Sequence, residues 1–166
     1  EVFGKMEKGY LLSVDSNWDM YGDGYLSGHY FSEGALREQL EKAYPGLVFT
    51  EEPVENQINM YKRDKVGHIL SLTVGNKTIS GEEFRQLLEL PSSNFTMQAA
   101  DGKIRFLCKG QGHGLGLSQY GGNVLAKEGK SYKEILRYYF PECGVQKKTP
   151  DRKKNRCILL QNQGIL

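Results

Sequence analysis

Between Lys109 and Gly122 the chain reads Lys-Gly-Gln-Gly-His-Gly-Leu-Gly-Leu-Ser-Gln-Tyr-Gly-Gly, with six glycines in fourteen residues and Gln111, His113, Ser118 and Gln119 set among them. Glycine takes positive φ freely and lets another backbone or a ligand come close, so glycines alternating with polar groups suit contact better than core packing. Amides, a hydroxyl and an imidazole can donate to and accept from a polar ligand. For His113 a second role stays open, in which its ring bonds backbone and pins the loop. Other chemistries fit worse. Gly116-Leu117-Ser118-Gln119-Tyr120-Gly121 is one residue too long for a nucleophile elbow, and no strand ends just before Ser118. There is no Gly-Lys-Ser/Thr ending to cradle phosphate. Cys108 and His113 lie five apart, but a metal would need two further ligands from His29, His68 or a distant cysteine. No metal and no other cofactor is therefore expected.

Elements on both sides must hold this loop. Val124, Leu125 and Ala126 begin an amphipathic pattern after it, which predicts a helix from about Gln119 to about Glu128 with Ser118 as N-cap and Gly129 at its end. The loop thus feeds a helix N-terminus, where unpaired N–H groups favour acceptor or anionic ligands. Behind it, Phe95, Met97 and Ala99 alternate, Asp101-Gly102-Lys103 turns, and Ile104, Phe106 and Cys108 return, a second hairpin after one expected over 57–74. In that first hairpin His68 reads as a lone surface or structurally bonded imidazole. Helices are expected from Ser32 through Tyr44, from the capping box Ser80-Gly81-Glu82-Glu83, and from the capping box Ser131-Tyr132-Lys133-Glu134 up to Pro141. Tyr10 to Val14 reads as a buried strand and Asp15 to Gly28 as a loop. On that loop Trp18, Tyr21 and Tyr25 are either a small satellite core or stacking platforms for sugar rings. The fold class is α+β, antiparallel hairpins with several short helices.

The loop, followed by Ala126, Gly129, Ser131-Tyr132 and Ile135-Leu136-Arg137-Tyr138-Tyr139-Phe140-Pro141, resembles the C-terminal signature of stage II sporulation protein D (SpoIID) and its amidase-enhancer relatives. Gly9-Tyr10-Leu11-Leu12-Ser13-Val14-Asp15-Ser16, Ile79 to Arg85 and Leu90 to Phe95 resemble the same family. The resemblance implies that residues 1–144 are the C-terminal portion of a larger, two-lobed domain. The catalytic glutamate would then lie upstream of Glu1, in a half that nothing here matches. It implies a lytic transglycosylase of peptidoglycan in endospore engulfment, which cleaves a MurNAc–GlcNAc bond when the sugar's own 6-hydroxyl attacks and a 1,6-anhydro product forms. Gln111, His113, Ser118 and Gln119 would then contact the glycan strand, in a fragment inactive by itself. The amidase-enhancer branch implies the alternative, a non-enzymatic peptidoglycan-binding module. Partners implied are peptidoglycan glycan strands, with other wall hydrolases or engulfment proteins. The setting implied is extracytoplasmic, with a membrane-anchored parent.

Composition bounds the remaining possibilities. A chain of 166 residues has material for one compact domain. Six of its 22 bases but one of its 20 acids lie in residues 147–156, so a basic tail over 145–166 follows a slightly acidic body. Such a tail could meet an anionic wall polymer or a membrane surface, or stay solvated, whereas without aromatic interleaving or a basic recognition helix nucleic acid is not expected. Cys157-Ile158-Leu159-Leu160 could add a final strand. Cys108, Cys143 and Cys157 form no Cys-x-x-Cys pair, so they indicate neither a disulfide framework nor a zinc ribbon, although a Cys143–Cys157 bridge is conceivable in an exported protein. No apolar run reaches membrane-spanning length.

Overall fold

The computed structural model describes residues 12–145, which fall into two compact units: Asp19–Gly114, and residues 12–18 together with 115–145. The expected basic tail and final strand, the Cys143–Cys157 pairing and the stretch up to Leu11 lie outside the described residues.

The larger unit is built on two three-stranded antiparallel sheets. One has β1 (Leu26–Phe31) and β5 (Phe95–Ala100) on either side of β6 (Lys103–Lys109). The other has β2 (Ile58–Arg63) and β4 (Lys77–Ser80) on either side of β3 (Ile69–Val74). The β5–β6 hairpin closes through Asp101 at φ 52° and Gly102 at φ 71°, with Ala100 opposite Lys103. Positive φ at both central residues is the two-residue turn whose twist matches paired strands, and Asp-Gly is its usual sequence. Helix α1 (Glu33–Ala43) starts where Ser32 accepts the Ala35 N–H, and Leu36 and Leu40 are fully buried. Helix α2 (Gly81–Leu87) starts in the expected capping box, with Glu83 and Ser80 satisfying each other's backbone N–H.

One hydrophobic cluster joins both sheets and both helices. Phe84 of α2 lies 5.6 Å from Phe95 and 5.7 Å from Phe106, ring centre to ring centre, with Leu36, Leu40, Val54, Leu72, Val74 and Ile104 packed around them. Alternation in β6 puts Ile104, Phe106 and Cys108 inward, so each of its other residues faces the opposite side of the sheet.

The smaller unit is helical. Helix α3 (Gln119–Lys127) begins with Ser118 accepting the Gly121 N–H at 3.0 Å. It ends with Gly129 at φ 89° and paired bonds from Gly129 N to Ala126 O and Lys130 N to Leu125 O, the glycine-dependent stop expected there. Helix α4 (Tyr132–Tyr139) starts in the second capping box and turns Tyr139 inward. Residues 15–18 attach to it: Tyr138 donates its hydroxyl to Asp15 O at 2.6 Å, and the Trp18 ring lies 5.9 Å from that of Tyr138.

Three expectations need correction. The buried strand does not form over its described part, where residues 12–16 are irregular and Leu12 is exposed. The glycine- and tyrosine-rich stretch read as loop up to Gly28 contains the start of β1, because pairing with β6 supplies order that its own composition does not favour. Lys77–Ser80 adds a further strand beyond the hairpin expected over 57–74. Of the loop aromatics, Trp18 joins a satellite cluster, Tyr21 is exposed, and Tyr25 lies under the Lys109 ammonium at 5.8 Å.

Candidate functional site

The boundary between the two units passes through the glycine loop, after Gly114. Gln111 and His113 therefore belong to the larger unit and Ser118 and Gln119 to the smaller. In the larger unit the loop is fastened by backbone bonds to three separate places. Lys109 N donates to Asn94 O at 2.8 Å, Gly110 N to Tyr25 O at 2.6 Å, and Gly112 N to Pro91 O at 2.7 Å. Gly110, Gly112 and Gly114 all have positive φ. That alternation needs glycine at every second position and leaves the intervening positions for side chains. Gln111 is exposed and reaches back over Gly24 toward the Asp23 carbonyl, 3.5 Å away.

His113 is half-buried and close enough to act electrostatically on both His68 and Glu82. His68 is bonded, as one of its expected readings had it, but it has company. Its Nδ1 lies 2.9 Å from Ser93 Oγ, and its Nε2 faces Gly114 so closely that any side chain there would collide with the ring. The turn before it is tied down by Asp64, whose Oδ1 accepts the Val66 and His68 N–H groups, and Ile69 N donates to Ser93 O. Burial pushes His68 below the ordinary histidine value, His113 adds to that, and Asp64 and Glu82 oppose it. Glu82 is itself held low, chiefly by Arg85, which binds it at 2.7–3.1 Å. A carboxylate so held stays ionised, the opposite of a raised-pKa acid. Such a carboxylate cannot readily give up a proton.

In the smaller unit Ser118 caps α3, and Gln119 occupies the first helical position with its side chain exposed. Cys108 belongs to the core: it is fully buried, and burial raises its thiol above the ordinary value. No group of three or more His, Cys, Asp or Glu among the described residues is arranged to hold a metal. The part of the site that residue-by-residue reading missed is the His68–Ser93 pair behind the loop. Its sequence signal was indirect, since Ser93 stands in the Leu90–Phe95 stretch noted above for its resemblance.

No protein-family model matches the chain. Stage II sporulation protein D of Bacillus amyloliquefaciens is 31% identical to it over 132 residues, 79% of this chain and 36% of that protein. The protein of the same name from Bacillus subtilis is 30% identical over the same lengths. Over that stretch the chain belongs to the stage II sporulation protein D family. The amidase enhancer of B. subtilis is 42% identical over 50 residues, 30% of this chain and 7% of that protein. The chain thus spans about a third of the length of the family members it matches. No helix among the described residues is long and apolar enough to cross a membrane.

Proposed function

We propose that this chain supplies glycan-binding surface to a peptidoglycan lytic transglycosylase acting on the cell wall during sporulation, with Gln111, His113, Ser118 and Gln119 as its hydrogen-bonding contacts. Support comes from kinship with proteins named for sporulation. It comes above all from a loop fastened by three separate backbone bonds, which presents Gln111 and His113 without an ordering cost on binding. Such a reaction needs one carboxylate of raised pKa at the leaving oxygen, because the sugar's own 6-hydroxyl serves as nucleophile. Glu82, held low by Arg85, is poorly suited to that, and the family resemblance implies an acid upstream of Glu1. The extracytoplasmic setting belongs to the same proposal.

The test is binding of purified glycan strands to the 166-residue chain. His113→Ala with Gln119→Ala should weaken binding about tenfold or more, the loss of one or two hydrogen bonds to a polar ligand. If only deletion of residues 147–156 weakens it, adhesion is charge-driven and the proposal fails. The chain by itself should release no 1,6-anhydro-muropeptides from wall sacculi. The match to the amidase enhancer favours a second reading, a wall-binding module that assists an amidase. That reading predicts faster wall solubilisation by an added amidase, with no anhydro product even when the chain is extended by a family member's remaining sequence.

A further inference from the structure

Of the three backbone bonds that fasten the glycine loop, the last is at Gly112. Two residues on, at Gly114, the loop rests against the His68 ring, whose Nε2 stands where a side chain would begin. The ring is itself held in place. Ser93 Oγ lies 2.9 Å from its Nδ1, Asp64 Oδ1 accepts the His68 N–H at 2.8 Å, and Asp64 N donates to His68 O at 2.9 Å. Ser93 is buried and its carbonyl accepts the Ile69 N–H at 3.0 Å, so the hydroxyl stands on a fixed segment. The same segment holds the loop elsewhere, since Pro91 O accepts from Gly112 N and Asn94 O from Lys109 N. Residues 91–94 thus support the loop directly at Lys109 and Gly112, and through an imidazole at Gly114.

An imidazole is the side chain whose charge changes between about pH 5 and 8. The charged groups that face this one come from three elements. Asp64, on the turn before β3, and Glu82, on α2, favour a charged ring, whereas burial, the strongest influence, and His113, on the loop, oppose it. Glu82 is already bound by Arg85 of the same helix at 2.7–3.1 Å. The fold therefore holds His68 neutral at neutral pH. Ser93 can donate to Nδ1 or accept from it, so that bond survives either charge state. The contact with Gly114 is less tolerant. An imidazolium must recover water, and Gly114 packs against the Nε2 that would take it up. Gly110, Gly112 and Gly114, at φ 79°, 86° and 72°, have little conformational preference of their own, so a loop that loses one support gains many conformations.

We propose that His68 is a positioning residue: its neutral ring keeps Gly114, and with it Gln111 and His113, in the arrangement that meets the ligand, and protonation of the ring withdraws that support. The inference rests on the glycan-binding reading above and adds regulation of that site by pH. A ligand that binds the ordered loop selects neutral His68. The contribution of His68 to affinity is therefore full near neutral pH and is lost as pH falls through its lowered folded value, by up to about tenfold per pH unit once the ring takes its proton.

The experiment titrates the isotope-labelled 166-residue chain from about pH 7.5 to about pH 4.5, first alone and then with purified glycan strands. In the free chain the His68 ring signal and the Gly112, His113 and Gly114 amides should move with one midpoint, below about 6.5. Glycan affinity should fall across that midpoint. His68→Gln, an amide that never gains charge, should bind up to about threefold less tightly at neutral pH, the loss of part of one contact, and should lack the fall at that midpoint. His68→Ala should lose about tenfold at every pH, with its loop amides already shifted at neutral pH. Partial recovery by glutamine, with β5 and β6 amides unmoved in both variants, separates positioning from loss of the fold. Superimposable affinity profiles of the wild-type chain and His68→Gln would overturn the inference, as would loop amides that ignore the His68 midpoint. If the wild-type chain binds no glycan strand at any pH, the glycan reading fails, while a shared midpoint of ring and loop amides in the free chain still upholds His68 as the support of the loop.

Discussion

The two units hold their structure by different means. In Asp19–Gly114, sixteen buried apolar residues from two sheets, two helices and the segments between them form one cluster, nearly all of them brought together from distant parts of the chain. In the described part of the other unit the buried apolar side chains are Leu125 and Tyr139. There Ser118, Ser131, Glu134 and Gly129 satisfy the helix ends within a few residues of sequence. The glycine loop passes from one regime to the other. Its first half is positioned by tertiary bonds to Asn94, Tyr25 and Pro91, and its second half by a local cap. A single motif in sequence therefore rests on two separable stabilities.

The largest effect expected is from Phe84→Ala, which removes a fully buried ring from the aromatic cluster and should cost about 3–5 kcal/mol in urea unfolding of the larger unit. Hydrogen exchange in α3 and α4 should change far less. If both units lose protection equally, the contrast between them is wrong. Gly114→Ala comes next, since it forces an L-residue to φ 72° and drives a methyl into the His68 ring. A cost of about 2 kcal/mol follows from the left-handed backbone with its contact strain, and it should appear as lost order at Gln111 and His113.

Ser118→Ala deletes the α3 cap and should cost about 1 kcal/mol, read as faster exchange of the Gly121 amide while Lys109, Gly110 and Gly112 keep their protection. Glu89→Gly is a gain. Glu89 sits at φ 52° where the end of α2 makes the paired bonds from Glu89 N to Gln86 O and Leu90 N to Arg85 O, so glycine there should stabilise by about 0.5–1 kcal/mol. The last test is pH. His68 has a folded value below its unfolded one, so the folded state resists protonation and stability falls as pH drops below about 6.5, toward the folded value. His68→Gln should flatten that part of the profile. The lowered Glu82 and Glu83 act in a separate window, contributing stability that is present above their unfolded value near 4.5 and lost as pH falls through their lower folded values.

Much of the fold was legible. Ser32, Ser80, Ser118 and Ser131 each cap the helix their sequence announced, because a cap bonds an N–H only a few residues away and leaves a local signature. The β5–β6 hairpin was equally plain from its Asp-Gly turn. Strand β1 was hidden, since Leu-Ser-Gly-His-Tyr-Phe shows little alternation of apolar residues and owes its order to β6, nearly eighty positions later.

Sequence alone therefore settled the caps, turns and amphipathic faces, and marked Lys109 to Gly122 as a place for contact. Only the tertiary structure set Ser93 behind His68, brought Glu82 close enough to His113 to feel it electrostatically, and left the Nε of Arg105 without an acceptor among the described residues. Each of those depends on chain segments far apart in sequence. Their meeting is fixed by burial of a shared core rather than by any neighbour along the chain.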